Sequence, residues 1–265
     1  MIVRRSKAEL DKLRRVNQLV AQVLAELRQL AAPGVTTADL DREAEARVRA
    51  AGAEPAFKGY HGYPSTLCTS VNNQVVHGIP SDRALVDGDI VSIDMGAKLD
   101  GYYGDSAVTV AVGSVPGEAA TLLRVTEESL FRGIEAVKPG ARVSDIGAAV
   151  QRHVEAHGFS VVREFVGHGI GTSLHEEPQV ANYGPGGKGP RLAEGMVIAI
   201  EPMVNAGKPG VRVLADKWTA VTEDGSLSAH FEHTVAVTAE GCEILTLLPA
   251  EADRARQAMG ALVRT

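Results

Sequence analysis

Cysteine is scarce in this 265-residue sequence: Cys68 and Cys242 stand alone, with no CxxC. That excludes a disulfide framework and a cysteine-built zinc site, and it suits a reducing cytoplasm. A basic excess is also missing. Lys and Arg number 27 against 33 Asp and Glu, a net charge of −6, so nothing favours nucleic acid as a partner through counterion release. No run approaches the roughly 20 apolar residues of a membrane span. The basic opening MIVRRSKAEL leads into a charged amphipathic pattern with no apolar h-region behind it. There is no linker and no low-complexity tract, and aromatics make up only 4%. What remains is an ordinary soluble composition, 45% hydrophobic and 23% charged. At this length the chain can bury one large core or two small ones. The expectation is a soluble, cytoplasmic protein.

The sequence contains itself twice. Leu10, Leu13, Val16, Val20, Val23, Leu24, Leu27 and Leu30 recur at helical spacing, predicting a long helix over 6–31. Pro33-Gly34 stops it, and Thr36 or Thr37 can cap a second helix running to Gly52. The same order returns as a helix from Glu118 to Val137, the stop Pro139-Gly140, and a helix capped by Ser144 and ending at Gly158. Aligning PGVTTADLDREAEARVRAAG (33–52) with PGARVSDIGAAVQRHVEAHG (139–158) superposes Asp39 on Asp145 and Val48 on Val154. LVDGDIVSID (85–94) aligns with LAEGMVIAIE (192–201), placing Asp94 on Glu201. GDSAVTV (104–110) against FEHTVAV (231–237) places Asp105 on Glu232, and HGIP (77–80) against HEEP (175–178) is a looser fourth pair. The expected architecture is one α+β catalytic domain over 1–265, built from half-domain repeats at roughly 6–112 and 118–248. They meet about a pseudo-twofold axis, with a curved antiparallel sheet inside and helices on one face. GPGGKGP (184–190) reads as a loop.

IVSIDMGAKLDGYYGDSAVTV (90–110) sharpens this picture. Ile90 to Ile93 and Ala107 to Val110 read as buried strands, and Asp100-Gly101 signals a tight hairpin turn. With a two-residue loop Leu99 faces Tyr102, Asp94 faces Ala107, and Asp105 lies one pair along on the same face. The two carboxylates are then diagonal neighbours, roughly 7–8 Å apart at the backbone. A three-residue loop would put them on opposite faces, and two solvated turn aspartates remain the plain alternative. On the paired register the like charges need a cation.

Two carboxylates from each half converging on the axis are untenable without such a cation, and divalent metal is the economical one. GHGIG (167–171) places His168 between glycines, where the backbone can bend and approach closely. Asp94, Asp105, His168, Glu201 and Glu232 form an oxygen-rich set suited to manganese, iron, cobalt or zinc. Two ions roughly 3.5–4 Å apart are the usual hydrolase arrangement, in which a water loses its proton near neutral pH and attacks a carbonyl. His77 and His175 each precede x-x-Pro at a loop entry, placed to hydrogen-bond a developing oxyanion or a scissile amide nitrogen. Alone, either would read as structural; their repeat-related placement favours function. His175-Glu176 does not begin a zincin helix, because Gln179 replaces the second histidine. The glycines of 167–171 lack the dinucleotide spacing, and Lys188 has no P-loop around it. Phe57, Tyr60 and Tyr63 cluster in a glycine-broken loop, with Cys68 and Trp218 elsewhere. They suit a pocket for an unbranched hydrophobic side chain, and loop aromatics capping the core would fit the spacing equally well.

GYHGYPSTLCTSVNNQVVHGIP, IDMGAKLDGYYGDSA, GHGIGTSLHEEPQV, IAIEPM and AHFEHTV, in this order, resemble type I methionine aminopeptidase from the first helix to about Leu248. The resemblance implies a pita-bread fold, two divalent metal ions, and removal of initiator methionine ahead of a small second residue. It implies that Asp94, Asp105, His168, Glu201 and Glu232 are ligands and that His77 and His175 face the substrate. It also implies that Phe57, Tyr60, Tyr63, Cys68, Leu174 and Trp218 line a methionine pocket. Nascent chain N-termini, a transient ribosome association and a monomer follow as expected partners and state, with no membrane and no nucleic-acid substrate.

The sequence departs from the family pattern at several positions. Phe57 and Leu174 stand where many bacterial members have cysteine and phenylalanine, Val76 where cysteine often precedes the histidine, and His230 where glutamine is common. No long insertion and no cysteine-rich N-terminal extension is present, which resembles the minimal bacterial form. Prolidase and X-prolyl aminopeptidases share the ligands, but their glutamate motif tends to read EPG, against Glu201-Pro202-Met203 here. Metal-free binding modules of this fold lose ligands, and all five stand in this chain.

Overall fold

The computed structural model describes residues 1–248; residues 249–265, part of the expected catalytic domain, lie outside the described residues. Among the described residues four helices form in two pairs: α1 (Lys7–Leu30), α2 (Thr37–Ala50), α3 (Gly117–Glu135) and α4 (Val143–Ala156). Ser6 caps α1, its hydroxyl accepting from the Glu9 N–H while Glu9 accepts from the Ser6 N–H. Thr36 caps α2 reciprocally with Asp39. These caps satisfy N–H groups that a helix start leaves orphaned. At α4 the expectation is corrected: Arg142, not Ser144, holds the cap position. Asp145 accepts from the Arg142 N–H, and the Ser144 hydroxyl instead donates to the Lys188 carbonyl, tying down the 184–190 loop. The loop's demand for a partner outcompetes the helix end for that hydroxyl.

The hairpin has the expected register. Ile90–Leu99 and Tyr102–Ala111 pair with Leu99 opposite Tyr102, Asp94 opposite Ala107 and Gly96 opposite Asp105. Asp100 (φ 52°) and Gly101 (φ 82°) both take positive φ, the two-residue turn whose twist matches its strands. The curved β-layer is divided into four hydrogen-bonded sheets. The hairpin carries Leu67–Val71 and Glu54–Pro55 on its other edge, in a four-stranded sheet. The matching C-terminal sheet has five strands, centred on Val197–Ile200 and His233–Val237.

A central seam joins the hairpin to the C-terminal half. Glu232 N–H donates to the Ala107 carbonyl (2.9 Å), extending one row of residues across the strands as Cys68, Asp94, Ala107 and Glu232. Hydroxyls reinforce it: Ser106 donates to the Glu232 carbonyl (2.6 Å) and Thr234 to the Asp105 carbonyl (2.8 Å). Thr109 donates to the His230 carbonyl and accepts from the His230 N–H, both at 2.8 Å. One apolar cluster draws on both halves, joining Val20 and Leu27 of α1 and Ile93 to Ile134 of α3, Val150 of α4, Ile198 and Val235. No described helix is long and apolar enough to cross a membrane.

Candidate metal centre

His168 is set by its flanking glycines. A Cβ on Gly167 would stand 2.3 Å from the Ala199 carbonyl oxygen, and one on Gly169 2.2 Å from that of Glu177. Only glycine lets Gly167–Gly169 lie this close to its neighbours. The His168 Nδ1 faces the Gly169 carbonyl at 2.9 Å, which requires the ring hydrogen there and leaves a lone pair on Nε2. That lone pair points at carboxylates, 3.5 Å from Glu201 Oε1 and 3.9 Å from Asp105 Oδ2. Ligand atoms of Asp105, His168 and Glu232 all lie within 4.8 Å of one another.

The electrostatics of the cluster are unbalanced. Asp105 and Glu232 are buried, 4% and 3% exposed, and Asp94 and Glu201 are half-buried. Asp94 Oδ1, Asp105 Oδ1, Glu201 Oε1 and Glu232 Oε1 are shut away with no hydrogen-bond partner among the described residues. Burial pushes the Asp94 carboxyl up to about 7. Asp105 is raised well above its ordinary range by burial, then by Glu232 and Asp94; Glu201 by burial, then by Asp105 and Asp94. Glu232 follows, raised by burial and then by Glu201 and Asp94. Burial lowers His168 to about 3, so it supplies no positive charge. Four oxygens and one imidazole lone pair with no donor among them fit a divalent cation, which satisfies every one of them. The donor chemistry is that of a hard to borderline ion.

A family model described as metallopeptidase family M24 matches residues 11–239. This chain belongs to metallopeptidase family M24. Methionine aminopeptidase 1 of Bacillus subtilis (strain 168) is 54% identical over 246 residues, covering 93% of this chain and 99% of that protein. The structure of methionine aminopeptidase from Thermotoga maritima superposes with a TM-score of 0.92 at 46% identity, covering 94% of this chain and all of that one. Both place the chain with the methionine aminopeptidases of the family, and the fold is the pita-bread fold. Prolidase from Pyrococcus furiosus, at TM-score 0.76 and 23% identity, shares the fold alone, and this chain covers 66% of it.

Around the M24 centre the two further histidines face each other's surroundings from opposite halves. His175 is exposed, its ring 4.4 Å from that of His168, and its Nδ1 is 2.8 Å from the Tyr60 hydroxyl. Partial burial and then His61 lower its pKa. His77 is lowered to about 4 by burial, then by His175. Its backbone is left-handed (φ 59°), a strained state that persists only where the surroundings impose it.

Phe57, Tyr63, Cys68 and Leu174 belong to one buried apolar cluster, with Tyr60 and Trp218 packed against it. The Tyr63 and Trp218 rings meet edge to face at 5.1 Å, and Trp218 lies 6.5 Å from the His77 ring. Cys68 pairs directly with Asp94 across the strands, so this cluster begins one residue from the carboxylates. Val76 belongs to a different cluster, with Val162 and Met203, and Phe165 stands 5.3 Å from His77.

Several supporting residues escape the sequence reading. Asn17 is fully buried on α1 and accepts from the Asp105 N–H at 3.3 Å. The readable signal was an amide in an apolar helix stripe between Leu13 and Val20. Glu176, paired with Arg5, accepts from the Thr172 and Ser173 N–H groups and pins the loop bearing Leu174 and His175. The Tyr60–His175 contact joins residues 115 apart, and no local pattern announces it.

Proposed function

We propose that this chain removes an N-terminal methionine from peptides and nascent proteins whose second residue is small. Asp94, Asp105, His168, Glu201 and Glu232 would hold a pair of divalent ions of the manganese, iron, cobalt or zinc class. The observation that carries this reading is four unpartnered carboxylate oxygens converging with one imidazole lone pair, beside an aromatic pocket. When bound, such ions supply the missing positive charge, acidify a water and polarise a carbonyl.

The chain's own groups do the rest. The pocket of Phe57, Tyr60, Tyr63, Cys68, Leu174 and Trp218 takes the methionine side chain, a flexible thioether that packs well against aromatic rings. With the Tyr60 O–H donating to His175 Nδ1, 2.8 Å away, the ring hydrogen would sit on Nε2, a donor for the oxygen that gains charge in the transition state. His77, kept neutral by burial, is placed to hydrogen-bond the scissile amide nitrogen or the substrate backbone. The Phe165 and Trp218 rings flank the His77 ring edge to face, at 5.3 and 6.5 Å. Phe57 is larger and Leu174 smaller than the common residues there, which reshapes the pocket.

The chain would act as one catalytic domain over 1–265, monomeric and cytoplasmic, meeting nascent N-termini through a transient ribosome association. The test is mass spectrometry of Met-Ala-Ser, Leu-Ala-Ser and Ala-Pro-Ala after incubation with Mn²⁺ or Co²⁺, with and without chelator. Methionine release from the first alone, abolished by chelator, is the expected result; norleucine should replace methionine and leucine be cleaved at least about tenfold less well. Preference for Ala-Pro-Ala would move the chain to the proline-type peptidases, and no release at all would favour a binding module.

A further inference from the structure

Between α3 and α4 a second donor cluster shares no residue with the carboxylate centre. Glu128 of α3 and His153 and His157 of α4 present ligand atoms that all lie within 4.8 Å of one another. His153 and His157 stand one helical turn apart, the spacing that puts two side chains on one helix face. Their rings are 4.6 Å apart. The His153 Nε2 lies 3.0 Å from Glu128 Oε2. The His157 Nδ1 faces the His153 carbonyl at 2.8 Å, which requires the ring hydrogen on Nδ1 and leaves the Nε2 lone pair for another partner. Fixing one ring nitrogen on a backbone carbonyl so that the other can ligate is a recurrent support for metal-binding histidine.

The glutamate is prepared as well. Arg124 donates to both of its oxygens, at 2.8 and 3.0 Å, which keeps the carboxylate ionised. The helices themselves are locked close together: a Cβ on Gly133 of α3 would stand 2.9 Å from Val150 Cγ2 of α4. The three donors are therefore carried on rigid elements and need only side-chain rotation to close on one ion. An ion pair between Glu128 and His153 uses a single imidazole; a second, whose Nε2 has no partner among the described residues, adds nothing to it.

We propose that Glu128, His153 and His157 bind one divalent transition-metal ion of the zinc class, which clamps α3 to α4. Two nitrogens and one carboxylate oxygen at bond lengths of about 2.0–2.2 Å suit zinc, with solvent at the fourth position because His157 is exposed. The ion replaces the Glu128–His153 hydrogen bond, and Arg124 retains the other carboxylate oxygen.

The test is zinc stoichiometry of the full chain at micromolar free Zn²⁺, by equilibrium dialysis and elemental analysis. The wild type should bind one equivalent more than H153A/H157A. The additional equivalent should survive in D105A/E232A, in which the carboxylate centre is disabled, and there zinc should raise Tm by a few degrees. That rise should vanish when H153A/H157A is added. E128Q, which keeps the fold and the side-chain shape, should weaken this zinc at least about tenfold. Equal stoichiometry in the wild type and H153A/H157A, or no zinc-dependent Tm rise in D105A/E232A, would overturn the proposal. Unchanged zinc in D105A/E232A would instead count against the carboxylate centre, so the two readings fail separately.

Discussion

Asp94 and Asp105 stand on strands joined by a two-residue turn, whereas Glu201 and Glu232 are brought together across 30 intervening residues. In the N-terminal half the carboxylate pair is a local product: the turn sets the register, and the register sets the face. In the C-terminal half the pair depends on a long closure, and the intervening segment returns to the other half. There Ala220–Thr222 pairs with Gln74–Val76, and Trp218 is delivered beside Tyr63 and His77. The longer route costs little extra closure entropy, since that grows only with the logarithm of length. In exchange it builds a wall of the proposed methionine pocket. One half supplies a rigid pair, and the other supplies a pair together with part of that proposed pocket.

If the halves are equivalent at the centre, Asp94→Ala and Glu201→Ala should fail alike. Each should lower kcat/KM by more than about a thousandfold and reduce metal stoichiometry, since even outer-shell partners of metal ligands cost 10–100-fold. Metal analysis alongside kinetics checks this, and near-normal turnover in either variant would break the symmetry. The histidines should separate more subtly. His175→Ala should lose about a hundredfold in kcat with metal retained, the scale of one oxyanion donor. Tyr60→Phe, which only frees the His175 ring, should lose less; metal loss in His175→Ala would make that residue a ligand.

The turn and the seam can be compared by stability. Thr109→Val strips partners from Ser92, the His230 N–H and the His230 carbonyl, and should cost about 1–3 kcal/mol in urea unfolding. Gly101→Ala meets no atom within 4 Å and pays only for its φ of 82°, about 1–2 kcal/mol. A costlier Gly101→Ala would show the local turn, not the seam, to be the weaker point. The last test is the pH dependence of the metal-free protein. Asp94 is raised from 3.8 to about 7. Between those values the folded state binds a proton that the unfolded chain has released, so Asp94's contribution to stability falls as pH rises through this window. Metal-free Asp94→Asn should therefore melt a few degrees above wild type at about pH 8, with the gap closing toward pH 4. A gap that widens on acidification would reverse the assigned sign.

Asp100-Gly101, the helix stops at Pro33-Gly34 and Pro139-Gly140, and the glycines around His168 were legible in the sequence. Each is a local backbone demand that few residue types meet. The hairpin register, and with it the shared face of Asp94 and Asp105, followed from them. The internal repeat extended that reading to Glu201 and Glu232, because duplicated segments carry equivalent positions. Ser144 misled, because a hydroxyl that could cap a helix was claimed by a loop 44 residues away. The Tyr60–His175 bond and the meeting of Phe57, Leu174 and Trp218 had no local signature, and Asn17 beneath Asp105 showed only as an amide in an apolar helix stripe. Local conformation is determined by the few residues on either side, and the sequence alone specified it. Which side chains face one another across the seam was decided by tertiary packing, because those contacts join segments about a hundred residues apart that only the closed core brings together.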